Sequence, residues 1–131
     1  MKKNKEPETY YRISVLGLHF KGKKLLLTKG ADGYWRIPGG GPNHGESIQQ
    51  CLIREIREEL GVGIKKISKL PLAVIPTHHR GAYRILLIYK IQLASLKFRW
   101  SEENTDANFF SKDELSKLRT FPSIKMLPEI L

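Results

Sequence analysis

Three glutamates, Glu55, Glu58 and Glu59, stand close together in the middle of the chain. A helix turns about 100° per residue, so in a helix these three share one stripe. Like charges spaced three and four residues apart repel one another. At the same periodicity Arg54 and Arg57 fall on another side and relieve only part of that repulsion. A hard divalent cation relieves the rest, because Mg²⁺ prefers oxygen ligands. Taken alone, the stripe reads equally well as a solvated acidic face paired with lysines elsewhere.

The wider spacing separates the two readings. Gly40 is followed after five residues by Glu46, and after seven more by Arg54-Glu55-Ile56. One residue further come Glu58-Glu59, and after one more Gly61-Val62. Seven fixed residue types at roughly 5–7% usage each coincide by chance on the order of once in 10⁹ windows. The pattern resembles, at every defined position, the Nudix box of the Nudix hydrolase (MutT-like) family. Trp35-Arg36-Ile37-Pro38-Gly39-Gly40 is similar to that family's approach to the box, and Asn108-Phe109-Phe110-Ser111-Lys112-Asp113-Glu114-Leu115 to its late strand-to-helix junction.

The resemblance implies an α/β fold, the Nudix α/β/α sandwich, with a mixed sheet between helices and the box as a loop–helix–loop. It implies that Glu55, Glu58 and Glu59 bind Mg²⁺ or Mn²⁺, with the backbone carbonyl of Gly39 as a further ligand. Glu46 is then expected to pair with Arg54 and fix the loop against the helix. Trp35, Arg36, Gly40 and Gly41 are the expected substrate-binding positions. The implied reaction is attack of water on a phosphoanhydride linked to a nucleoside, with metal ions neutralising developing charge and acidifying the water. ADP-ribose-like compounds, nucleoside triphosphates and dinucleoside polyphosphates are the substrate classes. The 5′ end of RNA is a less favoured partner. Pro76 lies near where some ADP-ribose pyrophosphatases of the family carry a proline. The alternative is a catalytically silent Nudix-like module that senses a nucleotide, although such modules usually lose box glutamates and this chain keeps them.

Two positions depart from the family pattern. Asn43 stands where many members carry an acidic residue, and Phe109 replaces the usual late tryptophan. The general base is a box glutamate or one of Glu102, Glu103 and Asp106, with Asp106 preferred among those three. His78-His79-Arg80 reads as a polar turn more than as a phosphate contact. Tyr34 and Trp35 are candidates for stacking on a base, whereas Tyr83 reads as core. Cys51 reads as packing, because nothing around it would lower a thiol pKa.

Those residues need elements to hold them. Ser47 to Leu60 reads as a helix, opened by Ser47 and Gln50 in capping-box spacing and stopped at Gly61. Ile53, Ile56 and Leu60 are its expected core face. Strands are expected at Tyr10 to Phe20, Lys24 to Thr28, Leu70 to Pro76 and Tyr83 to Leu93, with Lys21-Gly22-Lys23 turning the first into the second. Leu86 and Ile88 put apolar residues on the second face of the Tyr83–Leu93 strand, so its centre should be covered on both sides. Lys97 to Trp100 and Asn108 to Phe110 read as short strands, and Ser111 with Glu114 caps a short helix running to about Leu118. Another helical turn fits the tail.

Composition bounds the rest. At 131 residues, 40% hydrophobic and 27% charged, the chain suits one globular domain over residues 1–131, with residues 1–9 a flexible polar tail. No apolar run approaches the roughly 18–20 residues of a membrane helix, and the polar start lacks the apolar stretch of a secretory signal. The lone Cys51 forms no disulfide within the chain, so a reducing, cytoplasmic setting is expected. The net charge of +10 favours an anionic partner. Two arginines and four glutamates lie between Gly40 and Val62, so the box is an acidic island in a basic chain. Family members often dimerise, which leaves a homodimer open.

Overall fold

The computed structural model describes residues 10–79, 81–101 and 104–129. The polar segment 1–9, Arg80, Glu102, Glu103 and the last two residues lie outside the described residues. The strands are β1 (Arg12–Lys21), β2 (Lys24–Gly30), β3 (Trp35–Arg36), β4 (Gly39–Gly40), β5 (Ile64–Ile67), β6 (Ala73–His79), β7 (Ala82–Leu93) and β8 (Asn104–Phe110). The helices are α1 (Ile48–Leu60), α2 (Lys112–Leu115) and α3 (Pro122–Lys125), followed by a 3₁₀ turn at Leu127–Glu129.

The sheet is mixed. β1 runs parallel to β7 from the Arg12–Arg84 pair to the His19–Ile91 pair, and every other named pairing is antiparallel. β1 pairs with β4 near its middle and with β2 only at the hairpin end, Phe20–Leu25 and Lys21–Lys24. β2 then carries β3 and β8. The two-residue β4 is therefore inserted beside β1 where β2 has diverged from it.

Each face of the sheet has its own core. On one face α1 contributes Cys51, Leu52, Ile56 and Leu60 against Val15, Leu26, Tyr89, Ile91 and Leu93. On the other, Leu115 of α2, Ile124 of α3 and Leu127 pack on Leu18, Leu25, Leu27, Ile75, Leu86, Ile88 and Phe110. Leu25, Leu26 and Leu27 supply alternate faces, as the period of two requires. This is the expected α/β/α sandwich. The centre of β7 is covered on both sides, with Leu86 and Ile88 in one core and Tyr89 and Ile91 in the other.

Several local expectations are corrected. The core face of α1 includes Cys51 and Leu52, while Ile53 is 40% exposed. The third strand begins at Ala73 instead of Leu70 and runs on through His78 and His79, so those histidines close a strand and do not form a turn. Lys97 to Trp100 is irregular, and β8 begins at Asn104, four residues earlier than expected. β5 carries mostly exposed or half-buried residues and had no clear apolar pattern to announce it. Both capping boxes are present, Ser47 with Gln50 and Ser111 with Glu114. No helix among the described residues is long and apolar enough to cross a membrane.

Candidate active site

The acidic stripe lies where α1 meets β4. Ser47 starts the helix: its hydroxyl accepts from the Gln50 N–H, and the Gln50 side chain accepts from the Ser47 N–H. This satisfies two of the N–H groups left free at a helix start. Burial of Leu52, Ile56 and Leu60 then sets the rotation of α1 on the sheet. That rotation turns Glu55 and Glu59 toward the two glycines of β4.

The approach is close enough to demand glycine. A Cβ on Gly40 would come within 2.6 Å of the Glu55 carboxyl carbon. Gly39 has φ of 142°, and a Cβ there would sit 2.1 Å from the carbonyl oxygen of Val15. Any side chain would be strained by that backbone angle and would also collide with β1. The Gly39 N–H is free to donate to Glu59 Oε2 at 3.0 Å.

Arg54 ties the site together. Its Nε and Nη2 donate to the two oxygens of Glu46 at 2.8 and 2.9 Å. Its Nη1 donates to Glu55 Oε1 at 2.9 Å and to both Glu58 oxygens at 3.2 and 3.3 Å. Nη2 also donates to the carbonyl of Gly41 at 3.0 Å. Arg54 is expected on another side of the helix, but it stands four residues before Glu58, and that spacing makes the two neighbours on one side of α1. The Arg54 hydrogen bonds, helped by an N–H from Asn43, hold the Glu46 carboxyl well down, at about 2. Arg54 is correspondingly raised, first by Glu46. The pair is charged at any ordinary pH.

The remaining expected positions separate into two groups. Gly40 and Gly41 belong to this cluster, through the Glu55 contact and the Arg54 hydrogen bond. Trp35 and Arg36 are engaged elsewhere. Trp35 packs edge-on against Phe110 at 4.8 Å, and its carbonyl accepts from the Thr120 hydroxyl. Arg36 pairs with Asp32 and lies over the Phe121 ring. Asp106 is not brought to the carboxylates. On β8, Ala107 and Phe109 pack toward the core beneath α1 and Phe110 packs in the opposite core, so alternation turns Asp106 away from α1. Its carboxylate accepts from the Ala107 N–H, and it sits opposite Lys29. Glu102 and Glu103, the other loop candidates, lie outside the described residues. Tyr83 is a correction too: it is 37% exposed and not core.

Cys51 is buried and its thiol donates to the Gly40 carbonyl at 3.5 Å. Burial, with the Glu46 charge adding to it, pushes the thiol up to about 11, which fits a packing role. Beyond the expected Gly39 carbonyl, sequence reasoning missed three other backbone groups of the site, the Gly41 carbonyl and the Asn43 and Gly39 N–H groups. Side-chain types carry no signal for such contacts.

Among the described residues no three acidic, His or Cys side chains converge as a finished ligand cage. The donor chemistry fits a hard divalent cation nonetheless. Glu55 and Glu58 share one nitrogen of Arg54, and Glu55 and Glu59 lie against adjacent residues of β4. All the donors are oxygens, and the 58% exposure of the Glu58 side chain leaves that ligand reachable from solvent.

Comparison with known proteins agrees. The family model for the NUDIX domain matches residues 10–130. An RNA pyrophosphohydrolase of Wolbachia sp. subsp. Drosophila simulans is 32% identical over 112 residues, covering 79% of this chain and 65% of that protein. An ADP-ribose pyrophosphatase of Methanocaldococcus jannaschii is 27% identical over 110 residues, covering 81% of this chain and again 65% of the relative. The chain thus spans a little under two thirds of either protein. A nucleoside triphosphatase, NudI, of an Enterobacter species is 32% identical over 111 residues, covering 74% of this chain and 79% of that one. In fold, the crystal structure of a MutT NUDIX hydrolase from Burkholderia pseudomallei superposes with a TM-score of 0.80 at 20% identity, over 94% of this chain and 99% of the other. The box, its seating of α1 on β4 and the match over nearly the whole chain place this protein in the Nudix family.

Proposed function

We propose that the chain is a Mg²⁺- or Mn²⁺-dependent pyrophosphohydrolase that cleaves the phosphoanhydride of a nucleoside diphosphate linked to another group. The observation that carries this reading is the Arg54 network, which gathers Glu46, Glu55 and Glu58 around one guanidinium. Relatives named for RNA, ADP-ribose and nucleoside triphosphates share the nucleoside-linked phosphoanhydride and support that substrate class.

In this reading Glu55, Glu58 and Glu59, with the Gly39 carbonyl, are the residues that would hold the cation. A divalent cation bound there would supply charge neutralisation at the diphosphate and a more acidic water. Arg54 and Glu46 are positioning residues: they fix the Gly41–Gly45 loop and the direction of the Glu55 and Glu58 carboxylates. The absence of side chains at Gly40 and Gly41 lets the diphosphate approach the backbone. Glu58, the exposed carboxylate, takes the proton from water. The basic surface draws in the anionic substrate while the acidic box holds its counterion.

The test is product release from a panel of nucleotides with Mg²⁺ or Mn²⁺ against EDTA. The panel contains ADP-ribose, NADH, common and oxidised nucleoside triphosphates, diadenosine polyphosphates and 5′-triphosphorylated RNA. Metal-dependent cleavage of one class is expected. Tight binding of one ligand without cleavage would overturn the hydrolase reading in favour of a nucleotide sensor.

A further inference from the structure

One end of the sheet carries two arginines side by side. Arg12 on β1 and Arg84 on β7 are paired in register, and both are exposed. Alternation fixes their face. Leu16 and Leu18 of β1, with Leu86 and Ile88 of β7, belong to the core beneath α2 and α3. Arg12, Ser14 and Arg84 therefore stand on that face, away from α1. Leu115, Ile124 and Leu127 cover the core residues there but leave both arginines open to solvent.

The two guanidinium groups lack carboxylate partners. Neither arginine makes an ion pair among the described residues. Arg84 instead reaches across to β1, where its Nη1 donates to the hydroxyl of the buried Ser14 at 3.4 Å. That bond draws its charge toward the strand that carries Arg12. Like charges on neighbouring strands, about 4.8 Å apart at the backbone, repel. Thr77 of β6 is paired with Arg84 from its other side and adds a half-buried hydroxyl to the same face. A phosphate, with several acceptor oxygens and a negative charge, would bridge the two guanidinium groups and remove the repulsion.

The pair adjoins the carboxylate site around the edge of β1. β2 has left that edge, which is closed first by β4, opposite Val15 and Leu16, and then by the loop that Arg54 holds at Gly41. A Cβ on Gly41 would meet nothing nearer than the Ile13 carbonyl, at 3.4 Å, so the loop runs along β1 toward Arg12. Arg12 lies three residues from Val15, the partner of Gly40, or roughly 10 Å along the strand. A side chain as long as arginine covers much of that distance.

We propose that Arg12 and Arg84 are a receptor for a phosphate group beyond the diphosphate, so that the group linked to the nucleoside diphosphate is itself phosphate. The pair then selects nucleoside triphosphates over ADP-ribose, which offers a neutral sugar in that place and leaves the two charges unrelieved. The substrate assignment rests on the hydrolase reading above; the binding of phosphate by the arginines does not.

The test is isothermal titration calorimetry with inorganic tripolyphosphate in EDTA. Without a metal the box carboxylates repel an anion, so the titration reads the arginines. The parent is expected to bind, and Arg12→Gln to bind about tenfold more weakly, the low end of what a hydrogen bond to a charged group contributes. Arg12→Gln also removes a like-charge repulsion, so it should melt no lower than the parent. Arg84→Gln should weaken binding too; it also strips the Ser14 hydroxyl of its partner, and Arg12→Gln decides the matter if that variant misfolds. With Mg²⁺ present, the ratio of kcat/KM for a nucleoside triphosphate to that for ADP-ribose should fall about tenfold in Arg12→Gln. No tripolyphosphate binding by the parent, equal binding by parent and Arg12→Gln, or an unchanged ratio would overturn the proposal. So would a lower melting temperature with equal losses on both substrates, because the arginine would then be structural. Arginine-dependent tripolyphosphate binding without hydrolysis of any substrate defeats the hydrolase reading alone; hydrolysis without arginine-dependent binding defeats the receptor alone.

Discussion

Arg54 grips Glu46 through two parallel hydrogen bonds, Nε to Oε2 at 2.8 Å and Nη2 to Oε1 at 2.9 Å, while its third nitrogen reaches Glu55 and Glu58. Only a guanidinium offers donors in that fork. Lysine keeps the charge and loses the geometry. Arg54→Lys is therefore expected to lower kcat/KM by at least about tenfold, the effect of about 1.4 kcal/mol in the transition state. Steady-state kinetics check this, and unchanged kinetics would refute the positioning role.

The same pair has a pH signature. Glu46 is lowered from an ordinary 4.5 to about 2, mainly by the Arg54 hydrogen bond. A carboxylate with a lowered folded-state pKa contributes its stability above the unfolded pKa and loses it as pH falls toward the folded one. The melting temperature of the parent should thus exceed that of Glu46→Gln at neutral pH. The gap should close between about pH 4.5 and 2. A constant gap across that window would show that the pairing is not what the substitution removes.

Glu58 and Asp106 divide the question of the base. Glu58→Gln is expected to abolish metal-dependent turnover while circular dichroism stays native. Asp106→Asn, at a position turned away from α1, is expected to leave kcat within about threefold, far less than the 10²–10⁴-fold typical of a lost general base. A large fall in kcat for Asp106→Asn would give it the base role.

Cys51 should be inert. Its thiol is buried and raised to about 11, so the thiolate that reacts is scarce at neutral pH. A thiol reagent at pH 8 should label it only after denaturation. Rapid labelling of the native protein would mean that the α1–β4 seam opens readily.

Ile53 and Ile56 are a matched pair for the packing of α1. Ile56 is fully buried and Ile53 is 40% exposed. Ile56→Ala should cost about 2–5 kcal/mol in denaturant unfolding, and Ile53→Ala at an exposed site about 0.5 kcal/mol or less. Equal losses would contradict the observed rotation of the helix.

Much of this molecule is legible in its sequence. The glutamate spacing, the Ser47 and Ser111 caps and the alternation along β7 are local patterns, and local backbone geometry turns them directly into a helix, its start and a strand. Their resemblance to the Nudix box added the fold. Other features depend on which surfaces meet. Periodicity alone placed Ile53 in the core, but the sheet accepts α1 along Cys51, Leu52, Ile56 and Leu60. The expectation that Arg54 lies away from the glutamates misjudged the helix itself, because Arg54 and Glu58 are four residues apart and so neighbours; its pairing with Glu46 depends on a loop that only the tertiary fold folds back. Tyr83 reads as core by alternation, and it is exposed because α1 does not extend over that end of the sheet. The sequence by itself determined which groups are present and how the chain runs locally. Tertiary packing decided which groups face one another, because side-chain direction over long sequence separations follows from the contact of distant surfaces and has no local code.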